Sequence, residues 1–245
     1  MKSAIKEKLV YLKLPGIKEV LDETIKGAIV EGLSYEKFVE QLLDHECTQR
    51  KNHRIEKLLK SSKLPSDKIF ESFDLNRLGL KTLQKVKSLE DGSFLDRREN
   101  ILIFGKPGTG KTHLVAALAH AQIMRDRRML FTTCSILVQN LLIAKRDLKL
   151  PAMLKKLSKY DGLIIDDIGY VQQSREEMEI MFILLAERYE RGSILLTSNL
   201  PFSKWDQIFK DPMTTAAAID RLVHHSIILE INVDSYRTEA AKKKQ

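Results

Sequence analysis

The sequence predicts an α/β protein, with a mostly parallel sheet covered by helices on both faces and a small all-helical domain in front of it. Three observations predict this. Residues 1 to about 70 read as helical throughout. From Ile101 onward, short apolar runs alternate with helical patterns, as they do when crossover helices join parallel strands. One of these junctions, Gly105-Lys106-Pro107-Gly108-Thr109-Gly110-Lys111-Thr112, fills the pattern G-x-x-x-x-G-K-[ST] between an apolar run and an amphipathic helix.

The helical domain comes first. Ala4–Leu12 and Ile17–Val30 carry helical patterns separated by Pro15-Gly16. A third helix is predicted from about Ser34 to Leu59, with Phe38, Val39, Leu42 and Leu43 on its apolar face. Its later half is charged (Arg50, Lys51, Arg54, Glu56, Lys57, Lys60) and reads as a solvated face. Ser61 to Ser66 is rich in turn residues and reads as a linker. The expected domains are therefore 1–66, helical, and 67–245, the α/β core. A chain of 245 residues with 43% hydrophobic content can hold such a core and a small appendage.

In the core, strands are predicted at Ile101–Phe104, Met129–Thr133, Leu163–Asp166, Ile194–Ser198 and Ile227–Ile231. Helices are predicted at Thr112–Met124, Ser135–Lys145, Ala152–Lys159 and Ser174–Tyr189. The last opens with a capping box, Ser174 to Glu177.

The motif at the first junction dictates its chemistry. Glycines let the backbone close around phosphate oxygens, and the helix N-terminus aims unpaired N–H groups at the anion. Residues Gly105, Lys106, Pro107, Gly108, Thr109, Gly110, Lys111, Thr112 and His113 are the expected nucleotide-binding set. Lys111 would hold the β- and γ-phosphates, and the Thr112 hydroxyl would ligate Mg²⁺. The chain is expected to bind a nucleoside triphosphate.

Four further residues, in three segments, could complete a hydrolytic site. Leu163-Ile164-Ile165-Asp166-Asp167 is an apolar strand ending in two acids, where Mg²⁺ needs its second protein contact. Asp166 is assigned to the metal, and Asp167 either deprotonates the attacking water or ends the strand as a turn residue. Asn199, at the tip of Ile194–Ser198, either contacts the γ-phosphate or lytic water or forms the turn before Pro201. Arg221, near the end of a predicted helix, either reaches a neighbouring subunit's γ-phosphate or is an Asp220-linked or solvated arginine. His224-His225 is not expected to share a metal, because adjacent strand residues point to opposite faces.

Taken together, GKPGTGKTH, LIIDDIG, LLTSN and AAAIDRL resemble the AAA+ superfamily, in the clade of DnaA-like initiators and DnaC-like helicase loaders. More narrowly they resemble the IstB-like ATPases, helper proteins of bacterial insertion sequences. Leu14-Pro15-Gly16, Leu33 to Phe38 and Phe73-Asp74 extend the resemblance over nearly the whole chain. It implies a five-stranded core with ATP between subunits, Lys111, Thr112, Asp166, Asp167 and Asn199 acting within one subunit and Arg221 across the interface. Phe73 to Leu80 would enclose the adenine. It further implies a helper that binds duplex DNA with little sequence preference, deforms it, and recruits and stimulates a transposase. The alternatives are a helicase loader, which often carries an N-terminal zinc cluster missing here, and a scaffold that binds ATP without hydrolysing it. Two departures stand out. Many members carry Glu in place of Asp167, which implies slow turnover. Only fourteen residues follow Ile231, so the usual helical lid is expected to be absent or vestigial, with Arg237 a weak substitute for its sensing arginine.

Composition bounds the setting. A net charge of +8 and a pI near 9.3 favour a polyanionic partner. Lys145, Arg146, Lys149, Lys155 and Lys156, between the second and third core strands, either contact DNA phosphates or form a solvated basic face. No aromatic residue interleaves with them, which favours backbone contacts to a duplex over base stacking. Gln172, Gln173 and Arg175 are weaker candidates, and Lys242-Lys243-Lys244 reads as a frayed tail. Two cysteines, no C-x-x-C pair, no signal segment and no long apolar run fit a reduced protein of the bacterial cytoplasm without a membrane span.

Overall fold

The computed structural model describes residues 2–169, 174–201, 204–205 and 212–236. The chain separates into two compact units, 1–57 and 58–245.

The first unit is helical: α1 (Lys2–Tyr11), α2 (Pro15–Glu31) and most of α3 (Tyr35–Ser62). Pro15 sits in the first turn of α2, where its missing N–H has no bond to make. Gly32 ends that helix in the left-handed conformation. Leu9, Ile17, Leu21 and Leu42 form the unit's small apolar core. Beside it Glu46 is buried, and its carboxylate accepts from the Ile17 N–H and from Arg50. Burial pushes this acid up, but those bonds and the Arg50 charge outweigh it and hold it below the usual range.

The second unit opens with two 3₁₀ turns, Phe70–Ser72 and Leu75–Arg77, and the helices α4 (Leu80–Leu89) and α5 (Ser93–Asp96). The core follows: β1 (Asn100–Gly105), α6 (Lys111–Met124), β2 (Met129–Thr133), α7 (Cys134–Arg146), α8 (Leu150–Leu157), β3 (Gly162–Ile168), α9 (Arg175–Arg188), β4 (Ser193–Ser198), α10 (Pro212–Val223) and β5 (Ser226–Ile231). All five predicted strands are present to within two residues. All pairings are parallel, in the order β2-β3-β4-β1-β5. Leu102, Phe104, Leu163, Ile165, Ile194 and Leu196 join one core cluster with α7, α8 and α9. The alternate residues Ile101, Ile103, Ile164 and Leu195 are equally inaccessible, so the central strands are covered on both faces. The capping box at Ser174 and Glu177 is present, with the Ser174 side chain accepting from the Glu177 N–H.

Arg188 fastens the far edge of the core. Its buried guanidinium donates to the carbonyls of Leu157, Tyr160, Asp161 and Ser193. Burial lowers its pKa to about 10, so it stays charged at neutral pH. Arg237, Gln172, Gln173 and Lys242 to Lys244 lie outside the described residues, as do residues 237–245 of the segment on which the expectation about a lid rests.

Candidate nucleotide-binding site

The G-x-x-x-x-G-K-[ST] stretch leaves the C-terminal end of β1, the middle strand of the β4-β1-β5 trio, and enters α6. Gly108 and Gly110 hold φ of 80° and 95°, conformations that β-carbons oppose. A Cβ at Gly108 would strike Ser235 Oγ, and one on Gly105 would come within 2.6 Å of the Ile231 carbonyl oxygen. The loop is thus shaped by glycine and left as a concave cradle of backbone. Lys111 is buried in the first turn of α6, its ammonium donating to the Lys106 carbonyl at 3.0 Å across the loop.

A cavity of about 780 Å³ opens over this cradle, within the range of small-ligand sites. Pro107 to His113 floor it, and Phe73, Asp74, Arg77 and Leu78 wall one side, where the adenine-enclosing segment was expected. His113 anchors that wall: its Nε2 lies 3.2 Å from Ser72 Oγ and 3.1 Å from the Ile69 carbonyl oxygen. Its ring meets Phe73 edge to face at 5.1 Å. The segment after β5 crosses the loop from the other side. The Tyr236 N–H donates to the Gly108 carbonyl, and Arg77 both donates to the Asp234 carbonyl and lies 4.8 Å from the Tyr236 ring centroid.

Of the two acids, Asp167 is among the residues that line the cavity and Asp166 is not. β3 pairs with Thr133 at Asp166 and then slips register against β4 between Ile165 and Ile168. Asp167, in that irregularity, has φ of 61°. An extra residue at a bulge turns the side chain aside, so Asp167 is exposed and lines the cavity while Asp166 stays buried. Asp166 Oδ1 accepts from Thr112 Oγ1 at 3.0 Å and from Thr197 Oγ1 at 2.6 Å. Thr197 Oγ1 in turn accepts from the Asp167 N–H at 2.9 Å. One β4 hydroxyl thereby ties both acids to the loop threonine.

Burial raises the Asp166 pKa and the neighbouring Asp167 charge adds to it, against the two threonine bonds and the more distant Lys68. Among the described residues this buried carboxylate has no ion-pair partner, and a cation would relieve it. Because the Thr112 proton is committed to Asp166, this hydroxyl offers lone pairs to the cavity. With Asp166 it makes an all-oxygen donor set of the kind Mg²⁺ prefers. Asn199 also lines the cavity, and its buried Oδ1 has no hydrogen-bond partner among the described residues, an orphan that a bound ligand or water would satisfy.

The structure brings Lys111, Thr112, Asp167 and Asn199 around one cavity, with Asp166 buried and bonded to Thr112. Arg221 is not among the residues that line it. It stands in the last turn of α10, its guanidinium 4.4 Å from the Phe182 ring centroid. Of the basic residues, Lys145 pairs with Glu176 at 3.4 Å and Arg146 with Asp147 at 3.5 Å, both at the surface. Arg175 pairs with Glu179. Lys149 is exposed at the start of α8, and Lys155 and Lys156 are exposed in its last turn. The strand placement on which the His224-His225 reading rested does not hold. The pair occupies the turn before β5, not the strand, and the rings stand 4.2 Å apart.

Sequence reasoning missed several cavity-lining residues, among them Lys68, Thr133, Gln139, Glu177 and Tyr236. Thr133 and Glu177 carried a signal, as the N-cap of α7 and the third residue of a capping box. The others lie far from the motif in sequence and are joined to it only by the fold.

A glycine loop opening α6, a buried acid bonded to its threonine from the neighbouring side of the sheet, and strand order β2-β3-β4-β1-β5 define a P-loop ATPase of the AAA+ type. Solved structures agree on the fold. AMPPCP-bound DnaA from Aquifex aeolicus superposes with a TM-score of 0.59 at 22% identity, covering 74% of this chain and 55% of that one. The DnaC helicase loader superposes at 0.57 and 16% identity, covering 68% and 97%. The family model for IstB-like ATP binding proteins matches residues 7–244, and the chain belongs to that family. A Sinorhizobium fredii insertion sequence ATP-binding protein is 42% identical over 94% of this chain and 78% of its own length. The IS5376 ATP-binding protein of Geobacillus stearothermophilus is 36% identical over 97% and 94%. The chain is therefore a transposition-associated ATPase that binds ATP. Among the described residues no helix is long and apolar enough to cross a membrane.

Proposed function

We propose that this ATPase assembles on duplex target DNA with ATP between its subunits, deforms the duplex, and recruits and stimulates a transposase. Hydrolysis then controls the lifetime of the assembly. The observation that carries the reading is the chain of bonds Thr112–Asp166–Thr197–Asp167 beside a nucleotide-sized cavity, in a family of insertion sequence proteins.

In this reading the N–H groups of the loop and the Lys111 ammonium bind the phosphates and stabilise charge that develops on them. Phe73, Arg77 and Tyr236 enclose the base end. Thr112 and Asp166 would hold Mg²⁺, which would supply neutralisation of phosphate charge. Asp167 takes a proton from water as that water's oxygen bonds to the γ-phosphorus and the bond to the β,γ-bridging oxygen breaks, leaving ADP and phosphate. Asn199 either accepts from the lytic water through its buried Oδ1 or donates to the γ-phosphate through its amide nitrogen. Arg221, away from its own subunit's cavity, serves a neighbour's γ-phosphate. Lys145, Arg146, Lys149, Lys155 and Lys156 contact DNA phosphates, with little sequence readout. The helical domain serves self-association or transposase contact.

Light scattering on the full chain with and without duplex DNA, in ATP and in ADP, tests this. A large assembly only with duplex and ATP, lost in Lys111→Ala, is expected. A monomer in every condition would overturn the role of Arg221 and the assembly together.

A further inference from the structure

At the opposite end of the sheet from the nucleotide cavity, two connections meet where β1, β4 and β5 begin. One, after α9, carries Tyr189 and Glu190. The other, between α10 and β5, carries His224 and His225. We propose that Glu190, His224 and His225 form a binding site for a divalent transition-metal ion of the zinc class.

The donors are already gathered. One ligand atom from each of the three residues lies within 4.8 Å of the others. His225 Nε2 is 3.9 Å from Glu190 Oε1, and the two imidazole rings are 4.2 Å apart. Two ligands about 2.1 Å from one tetrahedral ion stand roughly 3.4 Å apart, so exposed side chains need to draw in by at most about 1.4 Å. Two imidazoles and a carboxylate are ligands that zinc accepts, with a fourth position open to water.

The site is also held from behind. Tyr189 Oη lies 3.0 Å from His224 Nδ1. The imidazole tautomer that donates Nδ1–H to this oxygen leaves Nε2 as a free lone pair, the arrangement seen around ligating histidines. The backbone is pinned on both connections. The His225 carbonyl accepts from the Asn100 N–H at 2.7 Å, and the His224 N–H donates to the Asp220 carbonyl at 2.9 Å. Glu190 itself is a left-handed turn residue, and its carbonyl accepts from Arg98. Arg98 and Arg221 line the adjoining crevice, so cationic side chains compete for the carboxylate and the site is of moderate affinity. A bound ion would tie the end of α10, three residues from Arg221, to the connection that follows α9.

The test uses full-length protein without a polyhistidine tag, stripped of metal and titrated with Zn²⁺ against a chromophoric chelator. One equivalent bound at micromolar affinity or tighter is expected. Glu190→Gln, His224→Ala and His225→Ala should each weaken it at least tenfold. Tyr189→Phe, which only orients His224, should weaken it by roughly tenfold or more. Cys47→Ser removes the exposed thiol and should change nothing. Zinc should raise the melting temperature of the parent chain and not that of the triple variant. Co²⁺ bound to the unmutated protein should give visible bands of a histidine–carboxylate site, a readout independent of whether any variant folds. Absence of stoichiometric Zn²⁺ and Co²⁺ binding, or equal zinc binding by a folded triple variant, overturns the proposal.

Discussion

Thr197→Val removes one hydroxyl and almost no volume, so it isolates what that hydroxyl does. In the structure it donates to Asp166 Oδ1 at 2.6 Å and accepts from the Asp167 N–H at 2.9 Å. Losing a bond to a buried carboxylate costs about 2 kcal/mol, and stranding a half-buried N–H about 1 more. A loss of about 3 kcal/mol in a chain of this size lowers the melting temperature by roughly 8 °C. The pH dependence has a definite sign. Asp166 already titrates above the usual carboxylate range because it is buried, and removing a bond that favours its charged form raises it further. Stability tied to a raised acid is fully present below its unfolded value near 3.9 and is lost as pH rises through the folded one. The deficit of the valine variant should therefore be larger at pH 8 than at pH 5. Turnover should fall by about tenfold to a hundredfold, since both acids lose their shared anchor. Thr197→Ser keeps the hydroxyl and should restore the pH profile. Thermal melts at the two pH values and steady-state phosphate release measure all of this. A valine variant with parental melting and turnover at both pH values would refute the account of how the acids are held.

Four other outcomes are expected. Asp167→Asn should bind ATP and abolish repeated turnover; multiple turnovers at the parental rate would remove Asp167 as the base. Arg221→Ala should bind ATP and lose at least a hundredfold in phosphate release, and normal turnover would end its role across an interface. Replacing Lys145, Arg146 and Lys149 together by Gln should weaken duplex binding and reduce the slope of log affinity against log salt by two to three, roughly one for each phosphate no longer neutralised; an unchanged slope places the DNA surface elsewhere. Arg188→Met strands the carbonyls of Leu157, Tyr160, Asp161 and Ser193 and should cost about 3 to 5 kcal/mol in denaturant melts.

Much of the core is legible in the chain because its signals are local. The glycine pattern needs only neighbouring residues to define its backbone, and Gly108 and Gly110 adopt the positive φ that such a loop requires. Strands buried on both faces announce themselves as unbroken apolar runs, as Leu163 to Ile165 do. The capping box at Ser174 is written in four consecutive residues. The two acids of β3 were also visible as candidates, but their difference was not. Which one is buried and which reaches the cavity depends on a slip against β4, thirty residues away.

By itself the sequence determined the α/β class, the phosphate loop and the residue types able to carry hydrolysis, since each follows from short-range backbone and periodicity rules. Only the tertiary structure decided that Thr197 joins Asp166 to Asp167, and that Tyr236 and Arg77 close over the loop from opposite ends of the core. It also decided that His224 and His225 face each other beside Glu190. The reason is physical: hydrogen bonds and charges act over a few ångströms, whatever the separation along the chain, and only packing sets which distant residues come that close.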